Sequence, residues 1–269
     1  MKIHPTAVIH PKAVLADDVE VGAYSVVGEH VTIGAGTRVL SHVSIDGWTD
    51  IGERCELHPF VSVGGPPQHM QYKGEPTKVV IGHDNILREY VTVNRATVQG
   101  GGVTTVGHSN FLMAYVHVAH DCHLGNHLIL ANAASLAGHI SIGDHAIIGG
   151  LSGIHQFVRI GAYAMVGGCC ALGQDLPPFM RAAGGYRARM YGLNSIGLRR
   201  HGFSAERIAA LKKAYEVLFR SGHRVAEAVK LARETFGASQ DVMQVADFMQ
   251  GTKRGICRSV GKDQEGEEE

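Results

Sequence analysis

The sequence has no apolar run of about 18 residues, the length a helix needs to cross a bilayer, so a membrane-spanning helix is excluded. Its opening residues, Met1 to Lys12, lack the apolar centre of a secretory signal, and the expected location is therefore cytoplasmic. Cysteine is sparse. Cys55, Cys122, Cys169, Cys170 and Cys257 form no Cys-x-x-Cys pair, which predicts reduced thiols rather than a disulfide framework. There is no Gly-x-Ser-x-Gly elbow, so a serine acyl-enzyme is not expected. No dinucleotide or P-loop fingerprint occurs, because Gly100–Gly102 lacks the lysine and the helix such a loop needs. Aromatic residues are only 6% of the chain, with one Trp. Without stacking platforms or a binding motif, nucleic acid is a poor partner.

Net charge is also missing, with 25 basic against 25 acidic residues, but the balance is local. Residues 1–180 carry 9 Lys and Arg against 14 Asp and Glu; residues 181–262 carry 16 against 6; the last seven residues hold five acids. A basic C-terminal segment points to an anionic ligand or an acidic partner.

Glycine (35) and histidine (17) are abundant instead, and one period organises the chain. In steps of six from Ile3, every residue to Val63 is aliphatic, and the phase returns at Ile81, Leu87 and Val93. Gly64–Thr77 reads as an outward loop that rejoins in register. One residue is gained before Val106, and a second unbroken aliphatic series then runs in sixes to Leu172. A period of six fits neither a 3.6-residue helix nor an open strand. It fits a parallel β-helix of short strands and tight corners. The repeat ends at Leu172, and Pro177-Pro178 marks a boundary. Helices are expected over about 204–220, 224–236 and 240–250, with Ser204 as an N-cap and Gly237 as a stop. The expected divisions are 1–190 for the β-helix, 191–258 for the helical part and 259–269 for a disordered acidic tail.

With three hexapeptides per coil, residues 18 apart stack at about 4.8 Å. His120, Gly138, Gln156 and Gln174 then form one column, beside Asp121, His139 and His155, with His117 near the corner before them. The remaining histidines, His145 among them, show no column in the sequence. Two chemistries stay open for the cluster. One is a metal site using His117 and Cys122, whose spacing resembles that of two ligands in gamma-class carbonic anhydrases. The other is acyl transfer with a histidine base, an adjacent carboxylate to orient it and a main-chain N–H for the oxyanion.

The period resembles the hexapeptide-repeat acyltransferases, which implies a left-handed β-helix of three-sided coils. The segments His117-Val-Ala-His-Asp-Cys122, Leu136-Ala-Gly-His139, Ile154-His-Gln-Phe157, Gly74-Glu-Pro-Thr77, Gln174-Asp-Leu-Pro-Pro178 and Arg199-Arg-His-Gly-Phe203 are similar, in order, to the acyl-ACP–UDP-N-acetylglucosamine O-acyltransferases, which begin lipid A synthesis. The resemblance covers nearly the whole chain. It implies a homotrimer with clefts between subunits and no cofactor or metal. It also implies a 3-hydroxyacyl donor on acidic acyl carrier protein, and UDP-N-acetylglucosamine as acceptor. His120 would be the general base, supported by Asp121, and the Gly138 N–H would hold the oxyanion. Gln68, His117, His139, His155 and Gln156 would contact substrate, Asn194 and Arg200 the uridine diphosphate end. Gly168, with no side chain, would be the acyl-chain ruler and leave room for a long chain. Arg199, Lys212, Lys213, Arg220 and Arg224 are the candidates for carrier docking. Gln71, Asn94 and Ile196 depart from the family pattern, and some relatives acylate a 3-amino analogue of the sugar nucleotide instead.

Overall fold

The computed structural model describes residues 1–257; the expected tail at 259–269, and residue 258, lie outside the described residues. Strands of mostly two residues, the first being Lys2–Ile3, Val8–Ile9 and Val14–Leu15, follow one another at six-residue steps. Each pairs in parallel with the strand three hexapeptides later, and three parallel sheets result, one per side of a prism. The side containing His117–Val118 runs on through Ser135–Leu136, Gly153–Ile154 and Ala171–Leu172. In each pair the aliphatic residue points inward. Val118, Leu136 and Leu172 are buried, as are Leu112, Leu130 and Ile148 on the next side. A dry core one side chain wide therefore runs the length of the prism, and each coil is supported only by its neighbours.

Corners need backbone that turns left. Among the described residues, nineteen non-glycine residues have positive φ, most at equivalent corner positions. That conformation costs roughly 1–2 kcal/mol for an L-residue, and ring stacking offsets part of it. Tyr24, His42, Phe60, Tyr90 and Tyr115 form one ladder, with neighbouring centroids 4.8–5.2 Å apart. His127, His145 and Tyr163 form another, at 4.8 and 4.6 Å. The histidines outside the site therefore do form columns, contrary to expectation. The sequence hid some of them because its two interruptions change the 18-residue offset to 30 and then 25, as in Val63 opposite Val93 and Val93 opposite Val118.

The first interruption is the expected outward loop. The second is not a one-residue gain. The chain steps from Thr92–Asn94 to the adjacent side at Val103–Val106, so residues 95–102 form a second excursion. Winding also continues past Leu172. Leu176 bridges to Ile160, and Met180–Ala183 extends one sheet before turning back antiparallel as Arg189–Leu193. The helices follow: α1 (Ser195–Arg200), α2 (Ala205–Tyr215) continued by a π-helical turn at Glu216–Arg220, α3 (Val225–Phe236) and α4 (Gln240–Gln250). Ser204 caps α2, its Oγ accepting from the Arg207 N–H, and Gly237 ends α3. Arg159 fastens α4 to the prism, donating 2.7 Å to the Phe248 carbonyl and 3.1 Å to buried Asp175.

One side changes character along its length. Lys2, Glu20, Arg38 and Glu56 alternate in sign down its outer face. Below them Ile86, Phe111, Ile129, Ile147 and Met165 continue the same register as an apolar stripe. Truncating the core is expected to be far costlier than breaking the charge ladder. Leu130→Ala should lose about 2–5 kcal/mol in urea unfolding, and Arg38→Ala much less.

Candidate active site

The corner after His117–Val118 gathers the chemistry. Asp121 has φ 61° and is 1% exposed. Its carboxylate accepts from the Thr97 N–H at 2.9 Å, the Thr97 hydroxyl at 2.7 Å and the His120 Nδ1–H at 2.7 Å. With three donors converging on it the carboxylate serves as the acceptor, which places the proton of the His120–Asp121 bond on His120 Nδ1. Nε2 is left as the basic atom. The Asp121 N–H is held by Thr104 Oγ1 at 2.8 Å. A Cβ at Gly100 would fall 2.0 Å from the Asp121 Cγ, so the second excursion closes over the carboxylate only because that residue is glycine.

Gly138 lies one rung below. A side chain there would meet His120 Cε1 at 2.5 Å and Nε2 at 2.9 Å. Glycine at this position thus makes room for the imidazole. Gly138 is buried, its carbonyl accepts from Phe157, and its N–H has no hydrogen-bond acceptor among the described residues. An N–H without a partner is a donor left available, and the His120 ring lies against the same residue. His139 completes the cluster. Its Nε2 is 3.6 Å from Asp121 Oδ2, and its ring meets His120 edge-on with centroids 5.2 Å apart.

Two contributors were not foreseen. Thr97 is the main grip on Asp121. His69, next to the expected Gln68, presents its ring edge-on to His120 at 5.4 Å, with a buried Nδ1 that has no partner. Gln68 itself is exposed. Both arrive on the excursions that interrupt the repeat, and the interruptions were the only sequence signal for them. Arg95 joins the two excursions, donating to the Tyr72 hydroxyl at 2.9 Å and the Gly64 carbonyl at 2.7 Å.

Beside the cluster runs an apolar groove of about 610 Å³, floored by Ser135, Gly153 and Ala171 and bounded by His117, His155, Tyr186 and Arg187. His117 Nδ1 is hydrogen-bonded to Thr92 Oγ1 at 2.7 Å; His155 Nδ1 donates to the Gln156 carbonyl at 3.1 Å. Gln156 is exposed two rungs below His120. Gly168 sits at the corner before Ala171, outside the groove lining, with only the Gly150 backbone near its Cβ position. Asn194 and Arg200 are not in the cluster. Asn194 is buried and caps α1, accepting from the Gly197 N–H and donating to the Tyr163 carbonyl. Its polar atoms hold the helix that carries exposed Arg200. Ile196 is 59% exposed. Arg220 packs against the helices and pairs with Glu216, so it leaves the set of free surface cations; Arg199, Lys212, Lys213 and Arg224 are exposed.

The expected metal pair does not assemble. Cys122 points into the core and donates to the Ala137 carbonyl at 3.2 Å, and burial pushes its thiol up to about 12. That also removes it as a nucleophile, since only a thiolate attacks.

Family models described as "Udp N-acetylglucosamine O-acyltransferase; Domain 2" and "Bacterial transferase hexapeptide (six repeats)" match residues 175–257 and 1–35. A Thermodesulfovibrio yellowstonii protein named acyl-[acyl-carrier-protein]–UDP-N-acetylglucosamine O-acyltransferase is 52% identical over 96% of this chain and 99% of its own. A Ralstonia nicotianae protein of the same name is 54% identical over 96% and 98%. Among solved structures, LpxA from Acinetobacter baumannii aligns with TM-score 0.93 at 43% identity, covering 95% of this chain and 99% of that one. UDP-N-acetylglucosamine acyltransferase from Campylobacter jejuni aligns at 0.91 and 41%, covering 96% and 100%.

Two measurements test the site. The Nδ1 proton shared by His120 and Asp121 is expected far downfield in the proton NMR spectrum, and Asp121→Asn should abolish that signal. His117 and His139 both resist protonation, chiefly through burial, with His120 adding to the effect at His117 and Asp121 opposing it at His139. Their folded values lie below the ordinary 6.5, so the unfolded chain takes up protons first as pH falls. Their contribution is fully present above 6.5 and is lost on acidification through the folded values. The unfolding temperature should therefore fall as the pH drops below about 6.5, and less in His139→Gln.

Proposed function

The chain belongs to the acyl-[acyl-carrier-protein]–UDP-N-acetylglucosamine O-acyltransferase family, and from that premise we propose how its residues transfer a 3-hydroxyacyl group from acyl carrier protein to the 3-hydroxyl of UDP-N-acetylglucosamine, the first step of lipid A synthesis. The observation that carries the reading is that Gly138, whose N–H has no acceptor among the described residues, lies against the ring edge that carries the free Nε2 of His120. His120 Nε2 takes the proton of the sugar hydroxyl as its oxygen attacks the thioester carbonyl carbon. Asp121 holds the ring and stabilises the imidazolium. The carbonyl oxygen gains charge and accepts from the Gly138 N–H, a donor needing no reorganisation. Collapse breaks the carbon–sulfur bond, and the leaving thiolate recovers the proton from His120.

The groove from His117 to Tyr186 takes the acyl chain, its floor of Ser135, Gly153 and Ala171 leaving width for a long one. Gly168 acts near its far end as the ruler. Gln68, His69, His139, His155 and Gln156 face the reacting centre and the sugar. Arg200, carried on α1 and positioned by Asn194, meets the diphosphate of a substrate held on a neighbouring subunit, since it lies outside this chain's own cluster. The 1–190 prism is thus the catalytic part and the 191–258 segment the nucleotide and carrier part. The latter offers Arg199, Lys212, Lys213 and Arg224 to the acidic carrier, with an apolar hollow at Phe203 and Ile208 rimmed by Arg199 and Lys212. The apolar stripe through Ile86, Ile129 and Met165 supports a trimer whose subunits pack side against side. The location fitting these partners is the cytoplasm.

His120→Ala should lower the rate with 3-hydroxyacyl carrier protein and UDP-N-acetylglucosamine by about 10²–10⁴ while the trimer persists; unchanged turnover would end the mechanism. Assayed beside it, the 3-amino nucleotide reports whether nitrogen is also accepted. Ile129→Asp, on the outer stripe, should convert the trimer to monomers in sedimentation velocity and abolish activity without altering the site's own residues.

A further inference from the structure

The apolar groove does not end in apolar residues. At its far end it opens into a polar hollow of about 360 Å³ that shares Gly173 and Arg187 with it and is completed by Gln174, Ala188 and Arg189. Arg254 reaches the same place, donating to the Gly173 carbonyl at 3.0 Å, and its Nε is buried without a partner. Arg187 lies over the Tyr186 ring at 5.4 Å, where the ring holds the guanidinium across the mouth. Among the described residues, none of these three arginines is in an ion pair, whereas Arg159 and Arg207 nearby in the chain each hold an aspartate. Three uncompensated guanidinium groups at the end of a hydrocarbon-lined channel contribute nothing to binding the methyl end of an acyl chain. They match an anionic head with an apolar tail.

We propose that this end of the groove is a binding site for anionic amphiphiles, a free long-chain carboxylate above all, with the head on Arg187, Arg189 and Arg254 and the tail running back over Ala171 and Gly153 towards His117. The orientation is opposite to that of a thioester donor, whose polar end belongs at His120. The ligand therefore blocks the groove without offering a reactive carbonyl to the base. Its chemistry is that of a free fatty acid, the hydrolysis product of the donor class. The binding rests on the groove and the arginines, not on the transfer reaction, so each can fail alone.

Calorimetric titration of the full chain with dodecanoate and with dodecan-1-ol tests it without turnover. Dodecanoate should bind at least about tenfold more tightly than the alcohol, as expected for charge-assisted hydrogen bonds. Arg187→Ala/Arg189→Ala should bring the two ligands level. Gly153→Leu, which puts a side chain where nothing lies within 4 Å, should abolish both. The groups facing the two ends separate the orientations. Arginines hold their charge across about pH 6.5–8.5, so affinity should be flat. A steep loss as pH rises would put the head on His117 and His155 instead and overturn the proposal. Equal binding of acid and alcohol by the unaltered chain would overturn it too. So would binding seen only after residues 259–269 are removed, which would give the arginines to the chain's own acidic end.

Discussion

Everything in this molecule depends on rung-to-rung register. Backbone N–H groups of one coil donate to carbonyls of the next, as from Ala119 to Leu136, Ala137 to Ile154 and His155 to Leu172, at 2.9–3.1 Å. A slip by one residue would turn the inward aliphatic column outward along a whole side, so the dry core locks the register. Locked register makes equivalent corner residues neighbours in space whatever their separation in sequence. His120 sits over Gly138 for this reason alone. The imidazole and the main-chain donor need no loop to bring them together, and their geometry is as rigid as the sheet.

What the repeat cannot provide is a partner for the base. A strict hexapeptide coil presents only its own corner residues, and a carboxylate left there would be solvated and unable to fix a tautomer. The two excursions solve this at the two rungs immediately above His120, on the same corner. Residues 95–102 bring Thr97 onto Asp121 and exclude water from it; residues 65–77 bring His69 against His120. Arg95 ties one excursion to the other, so neither moves independently.

This division explains what was legible in the sequence. The aliphatic period requires a coiled solution, and 18-residue stacking placed His120, Asp121, Gly138 and His139 together correctly, because all four lie below the interruptions where the period is unbroken. Thr97 and His69 were invisible, since residues inside an excursion carry no period. The second excursion was misread because the 13-residue step from Val93 to Val106 looks like two repeats and a slip, when the chain makes one step and a detour. The same offsets hid the Tyr90 and Tyr115 ladder and the stacking of His83 on His108 at 5.0 Å. Past Leu172 the period fails although the winding does not, because the neighbouring helices, not a second stack of coils, cover the last rungs.

The interruptions are therefore the functional part of a repeat fold, and the regular coils are its scaffold. The same logic accounts for where polar groups are left unpaired. Elsewhere the buried corner hydroxyls are matched: Ser25 Oγ donates to the Leu40 carbonyl and accepts from the Val43 N–H, and Thr37 does the same one side on. The main-chain N–H at the equivalent corner position has no acceptor among the described residues at other rungs either, as at Asn132, Gly150 and Gln156; what sets Gly138 apart is the imidazole of His120 lying against it. A side-chain or carbonyl oxygen on the Gly138 N–H would stabilise the fold by about 1 kcal/mol and would occupy the point where the mechanism we propose forms an oxyanion. The stability forgone at this amide is small against what one such donor contributes to a transition state, about 3–4 kcal/mol. The rigid stack is what lets the molecule carry that unpaired donor without closing over it.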